Sequence, residues 1–159
     1  MSIALAAIAA ALLVAYIVMR SRRDKPAADA QVDSTPALEA WIQDTLEIEL
    51  AEGALGIPNA SSHERSRLAK TLRGEPDPDV VSKIEDKVRD VELEYTRYAH
   101  ENDAEVLLRV RYEDGKASTA TKRMPWTDVP QAVRDDFERK KTSRVFRSWT
   151  FPWSRARVF

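Results

Sequence analysis

The chain opens on an uninterrupted apolar run, Ile3 to Met19, that carries no charged side chain. As a helix rising about 1.5 Å per residue it would cover about 25 Å, close to the roughly 30 Å hydrocarbon core of a bilayer. After Arg20 the pattern changes to short apolar stripes set among charges. The pattern therefore predicts a transmembrane anchor over 1–20, a linker over 21–35 and a polar domain beyond it.

The domain divides where its period changes. From Leu38 the apolar positions Trp41, Ile42, Leu46 and Leu50 recur at three and four residues, one face of a helix. Thr35 and Pro36 mark its start and Gly53 its end. A second helix begins at Ser61 with Glu64 as its capping-box partner, and a third at Asp77-Pro78 with Val80, Val81, Ile84 and Val88 inward. Near Asp90 the spacing falls to two. Val91, Leu93 and Tyr95 form one face of a strand, and Val106, Leu108, Val110 and Tyr112 one face of the next. Asp114-Gly115 predicts a type I′ hairpin into a Thr-rich third strand. Pro130 opens a short helix with Val133 and Phe137 buried, and 144–151 alternates as a fourth strand. The expected fold is α+β: a helical segment over 36–90, an antiparallel β-β-β-α-β unit over 91–152, and a basic aromatic tail over 153–159.

The hairpin and the helix opened by Asp128-Val-Pro-Gln-Ala-Val133 resemble the small KTSC domain in outline. Thr119 and Thr121 stand where that family has an aromatic third strand, and no residue role is carried over.

Charge orients the anchor. All the basic residues flanking the apolar run, Arg20, Arg22, Arg23 and Lys25, follow it, and positive flanks stay on the cytoplasmic side. The expectation is an N-terminus outside and a cytoplasmic domain, as in a bacterial inner membrane. Tyr16, Arg20, Arg22 and Arg23 are the expected membrane-interface residues. Nothing basic precedes the run and no cleavage site closes it, which argues against a signal peptide. Cysteine is absent, excluding disulfides, thiolate nucleophiles and Cys-ligated metals. About 120 residues remain for the domain, enough for one core.

Net charge is −1, yet 33–105 holds 18 acidic against 8 basic residues, and 139–159 holds 7 basic residues and no acidic one. The basic end also carries Phe146, Trp149, Phe151, Trp153 and Phe159. The strand itself reads equally well as core or as contact surface. The trailing segment Trp153–Phe159 needs cover from the domain, the bilayer or a partner.

Candidate chemistry is sparse. His63 and His100 lack metal-ligand spacing, the four glycines form no phosphate-binding loop, and Ser61-Ser62 has no accompanying base. No catalytic, cofactor-binding or metal residue is assigned, and no cofactor is expected. The sequence favours a non-enzymatic, single-pass protein-interaction module, an accessory or scaffolding subunit of a membrane complex. Its expected partner contacts are Trp41, Arg147, Trp149, Trp153, Arg155, Arg157 and Phe159, because Trp and Arg predominate at binding hot spots. The alternative is a tail that binds anionic lipid or nucleic acid. A carboxylate enzyme ranks below both.

Overall fold

Pro36 begins α1 (Pro36–Glu52) because its missing N–H would be unpaired there in any case, while the Thr35 hydroxyl accepts from Leu38 N–H at 3.4 Å. The same hydroxyl donates to the Asp128 carbonyl, pinning the helix start to a distant loop. At the other end the Tyr112 hydroxyl donates to the Glu49 carbonyl at 3.2 Å. Between these two ties Leu38, Ile42, Leu46 and Leu50 are fully buried. The computed structural model describes residues 34–56, 59 and 61–155. The anchor expected over 1–20 lies outside them, and among the described residues no helix is long and apolar enough to cross a membrane.

α2 (Ser62–Leu72) starts with the capping box read from the sequence, Ser61 with Glu64. α3 (Pro78–Lys87) is capped by Asp77. Arg67 of α2 grips Asp77 with two hydrogen bonds, 2.7 and 2.9 Å, and the buried Thr71 hydroxyl accepts from Asp77 N–H at 3.1 Å. That bidentate bond holds the Asp77 carboxyl down to about 2.

α3 passes without a loop into β1 (Val88–Arg97), three residues earlier than the sequence pattern suggests. Val88 and Val91 are both buried, which strict alternation forbids for residues three apart. The register shift between Val88 and Asp90 resolves this, since the extra residue of a bulge resets the face. β2 (Asp103–Tyr112) and β3 (Ala117–Pro125) follow, then a 3-10 turn (Trp126–Asp128), α4 (Gln131–Lys140), β4 (Arg144–Ser148) and a final helical turn α5 (Pro152–Arg155).

The β2–β3 hairpin is not type I′. Tyr112 N–H reaches the Lys116 carbonyl at 2.9 Å and Gly115 N–H reaches the Tyr112 carbonyl at 3.1 Å, which closes a three-residue loop. Gly115 is the one loop residue with positive φ, +84°, whereas type I′ needs two such residues; a three-residue loop with Gly at its left-handed position uses one. The fourth strand is also shorter than its alternation suggests. Pairing with β1 ends at Ser148, and 152–155 coils rather than trailing outward.

The four strands are antiparallel in the order β3-β2-β1-β4. Val91, Leu93, Tyr95, Val106, Leu108, Val110 and Val145 share one buried face, and they form a single core with the apolar stripes of α1–α4. The helical half therefore packs on the sheet rather than forming a separate arm. The fold is α+β, with the described helices on one side of the sheet and none of them on its other face.

Candidate interaction surface

The basic aromatic end does two different things. Trp149, Phe151 and Trp153 form a ladder, edge-on at 5.0 Å between the first two rings and stacked at 4.4 Å between the last two. Trp153 is 3% exposed and belongs to the core; Trp149 is half-buried against it, as is Trp41 on α1. The cover that Trp153 needs is supplied by the domain itself, with α5 against α2. Its indole N–H is buried and has no acceptor among the described residues.

Arg147 is also turned inward. Its guanidinium donates to the Asp136 carboxylate of α4 at 2.7 Å, and Lys140 joins at 3.2 Å along with Arg139. Burial would push the Asp136 carboxyl up. The bonds from Arg147 and Lys140 outweigh it and hold the group down to about 2. This is a structural clamp between α4 and β4. Of the other expected contacts, Arg155 closes α5, while Arg157 and Phe159 lie outside the described residues, as do Tyr16, Arg20, Arg22 and Arg23.

The surface available for contact lies on the opposite face. The pairing register aligns three rows across all four strands. Arg144, Thr96, Glu105 and Arg123 make the first row, and Phe146, Glu94, Leu107 and Thr121 the second. Ser148, Glu92, Arg109 and Thr119 make the third. Phe146 is 52% exposed, with Leu107 two strands away in the same row. Antiparallel sheets keep one face polar when water covers it, so a half-exposed aromatic ring on the edge strand β4 of such a face is an apolar island.

Around that island the charges are paired. Arg111 bridges Glu92 at 2.8 Å and Asp90 at 3.2 Å. Arg109 and Arg144 approach Glu94 at 4.0 and 3.6 Å. Pairs this exposed stabilise the fold little, but they cancel the field of the arginines. The face is thus polar and near neutral, with Phe146 at its β4 margin and Leu107 on β2 separated by Glu94, and it lacks the single-sign stripe that a polyanion selects.

Sequence reasoning placed Phe146 and Leu107 correctly in alternation but gave them no role. The signal was there: each is the lone large apolar residue on the polar side of its strand.

Two depressions also mark the surface of the described residues. One of about 830 Å³ lies between the end of α1 and the β2–β3 hairpin, lined by Gly53, Asp86, Tyr112, Lys116 and Ser118 among others. Burial pushes the Tyr112 phenol up there. The other, about 410 Å³, sits at the opposite end of the sheet beside Arg97, His100 and Lys141. Arg97 lies over the Trp126 ring at 3.9 Å. Among the described residues no three acidic or imidazole side chains are grouped to hold a metal. No family model, curated protein or solved structure matches the chain.

Proposed function

We propose that this chain is a protein-interaction module held at a membrane by its apolar N-terminal segment, and that it docks a partner protein on the open face of its sheet. The observation that carries the reading is Phe146, a half-exposed aromatic ring on the edge strand β4, in the same cross-strand row as Leu107 on the face that no described helix covers. Interfaces are built this way, around an aromatic anchor with polar, solvent-accessible residues at the rim. The partner that fits presents an apolar pocket or side chain for Phe146 and hydrogen-bonding groups for the flanking Arg–Glu pairs. The run Ile3–Met19 supports the tether, which would concentrate the domain beside other membrane proteins.

Paired arginines argue against nucleic acid or lipid as the occupant of the open face, because a phosphate there would have to displace Glu92 and Glu94 from Arg109, Arg111 and Arg144. The test is extraction of the tagged full-length chain in mild detergent, with co-purifying proteins identified by mass spectrometry. The expected result is a stoichiometric partner that is lost in Phe146→Asp while the unfolding midpoint stays unchanged. Recovery of the chain without any partner, or partner retention in Phe146→Asp, refutes the open-face reading.

A further inference from the structure

β3 is one edge of the sheet, the five-residue β4 being the other; β3 is nine residues long with only Met124 buried. Natural proteins blunt such edges, because unpaired backbone groups recruit another strand. Here the first half, Ala117–Thr121, carries no charge, no bulge and no proline, and Lys122, Arg123 and Pro125 all fall in the second half.

The phase of its hydrogen bonds follows from the pairing. Tyr112 N–H bonds the Lys116 carbonyl, and Trp126 N–H bonds the Asn102 carbonyl at 2.8 Å. Antiparallel ladders alternate bonded and non-bonded pairs, so Ser118, Ala120, Lys122 and Met124 bond to β2. Ala117, Thr119, Thr121 and Arg123 then direct their N–H and C=O groups to the free edge. Pro125 falls in the same outward set, where its missing N–H costs β2 no bond.

We infer that β3 pairs antiparallel with β3 of a second copy of this chain, with Thr121 on the two-fold axis, joining two four-stranded sheets into one of eight strands. Thr121 is the central residue of Ala117–Pro125, so this register uses the whole strand. It sets Thr119 opposite Arg123 of the other copy, Ala120 opposite Lys122, and Thr121 opposite Thr121. No like charges face each other. Outward groups must meet outward groups, so the register can move only in steps. A step one way places Lys122 opposite Lys122, and a step the other way leaves Met124 and Pro125 facing turn residues. The register that pairs most backbone is thus also the one free of charge repulsion, and a Thr–Thr pair at its centre is favourable.

The symmetry also suits a tethered chain. A two-fold axis in a continuous antiparallel sheet is perpendicular to it, so both helical layers lie on the same side. Each chain enters through Thr35, which is bonded to Asp128 on that side, as two chains anchored in one bilayer require. The inference does not depend on the open-face reading, and each has its own variant.

The chain has no cysteine, so a single introduced thiol reports on one position. In the full-length chain in native membranes, Thr121→Cys should oxidise to a disulfide-linked dimer, since bonded antiparallel pairs sit about 5.5 Å apart at Cα, within disulfide reach. Thr119→Cys should cross-link at least tenfold less, because its two copies would lie about 14 Å apart along the strands. Coexpressed Thr119→Cys and Arg123→Cys chains should restore the link. Thr121→Pro removes an outward N–H, so it should abolish the dimer by native mass while the unfolding midpoint holds. Equal yields from Thr121→Cys and Thr119→Cys, or no link from either Thr121→Cys or the Thr119→Cys/Arg123→Cys pair, overturns the proposal. Phe146→Asp should leave the cross-link intact.

Discussion

Asp136→Asn tests the clamp between α4 and β4 and should destabilise the domain by about 2 kcal/mol at pH 7. The carboxylate side chain is 4% exposed and accepts from Arg147, Lys140 and Arg139. Arg139 and Lys140 are more than half exposed and contribute little; Arg147, at 30%, is the partner that matters. Burial favours the neutral acid, but these bonds hold the carboxyl at about 2, against an ordinary value of 3.8. At about 1.36 kcal/mol per unit the depression corresponds to roughly 2 kcal/mol of stability. Because the folded value is the lower one, that stability is fully present above about pH 5 and is lost as pH falls through 3.8 towards 2. Asn keeps the shape and one carbonyl acceptor but not the charge.

Urea unfolding of the full-length chain in detergent, for wild type and variant between pH 7 and pH 3, measures the gap. It should be about 2 kcal/mol at pH 7, or roughly 8 °C in Tm, and should fall to about half by pH 3. Adding Arg147→Met to Asp136→Asn should cost little more, because the two changes remove one interaction. A gap under about 0.5 kcal/mol at pH 7, or one that stays constant with pH, would refute the clamp.

Three further outcomes follow from packing. Trp153→Ala should cost about 3–5 kcal/mol as a core truncation, whereas Trp153→Phe should cost far less, since it also removes a buried N–H without an acceptor; equal losses in chemical denaturation would contradict this. Gly53→Ala should destabilise by about 1–3 kcal/mol, because its Cβ would meet the Glu49 carbonyl oxygen at 2.9 Å and also overlap the Tyr112 hydroxyl. Tyr112→Phe should recover part of that loss, and a neutral Gly53→Ala would show that the end of α1 shifts freely. Ser61→Ala removes the capping box of α2 and should cost about 1 kcal/mol by the same assay, with Ser61→Thr close to wild type.

Much of the fold was legible because local rules acted alone. The helix starts at Pro36, Ser62 and Pro78 follow from caps and prolines that need only their neighbours. The alternation in β1 and β2 named the buried set Val91, Leu93, Tyr95, Val106, Leu108 and Val110 without any knowledge of what would cover them. Where elements touch, the same rules failed. The bulge after Val88 lets a helix run directly into a strand, and no period predicts it. The hairpin motif fixed where the chain turns but not the turn type, which also depends on the Tyr112–Lys116 bonding.

The candidate site divides along the same line. Arg147, Trp149 and Trp153 were singled out for residue type, and type does not distinguish a core ladder or an ion clamp from a contact surface. Phe146 and Leu107 lie on the polar side of their strands, but only the packing of the described helices on the other face leaves that side open. The sequence by itself determined the helix caps, the strand periods, the apolar N-terminal run and the charge asymmetry, all set by neighbours within a few residues. The tertiary structure alone decided which sheet face carries the described helices, which aromatics are spent on the core and which strands form the edges. Those depend on the register of strands far apart in the chain, and no local pattern encodes it.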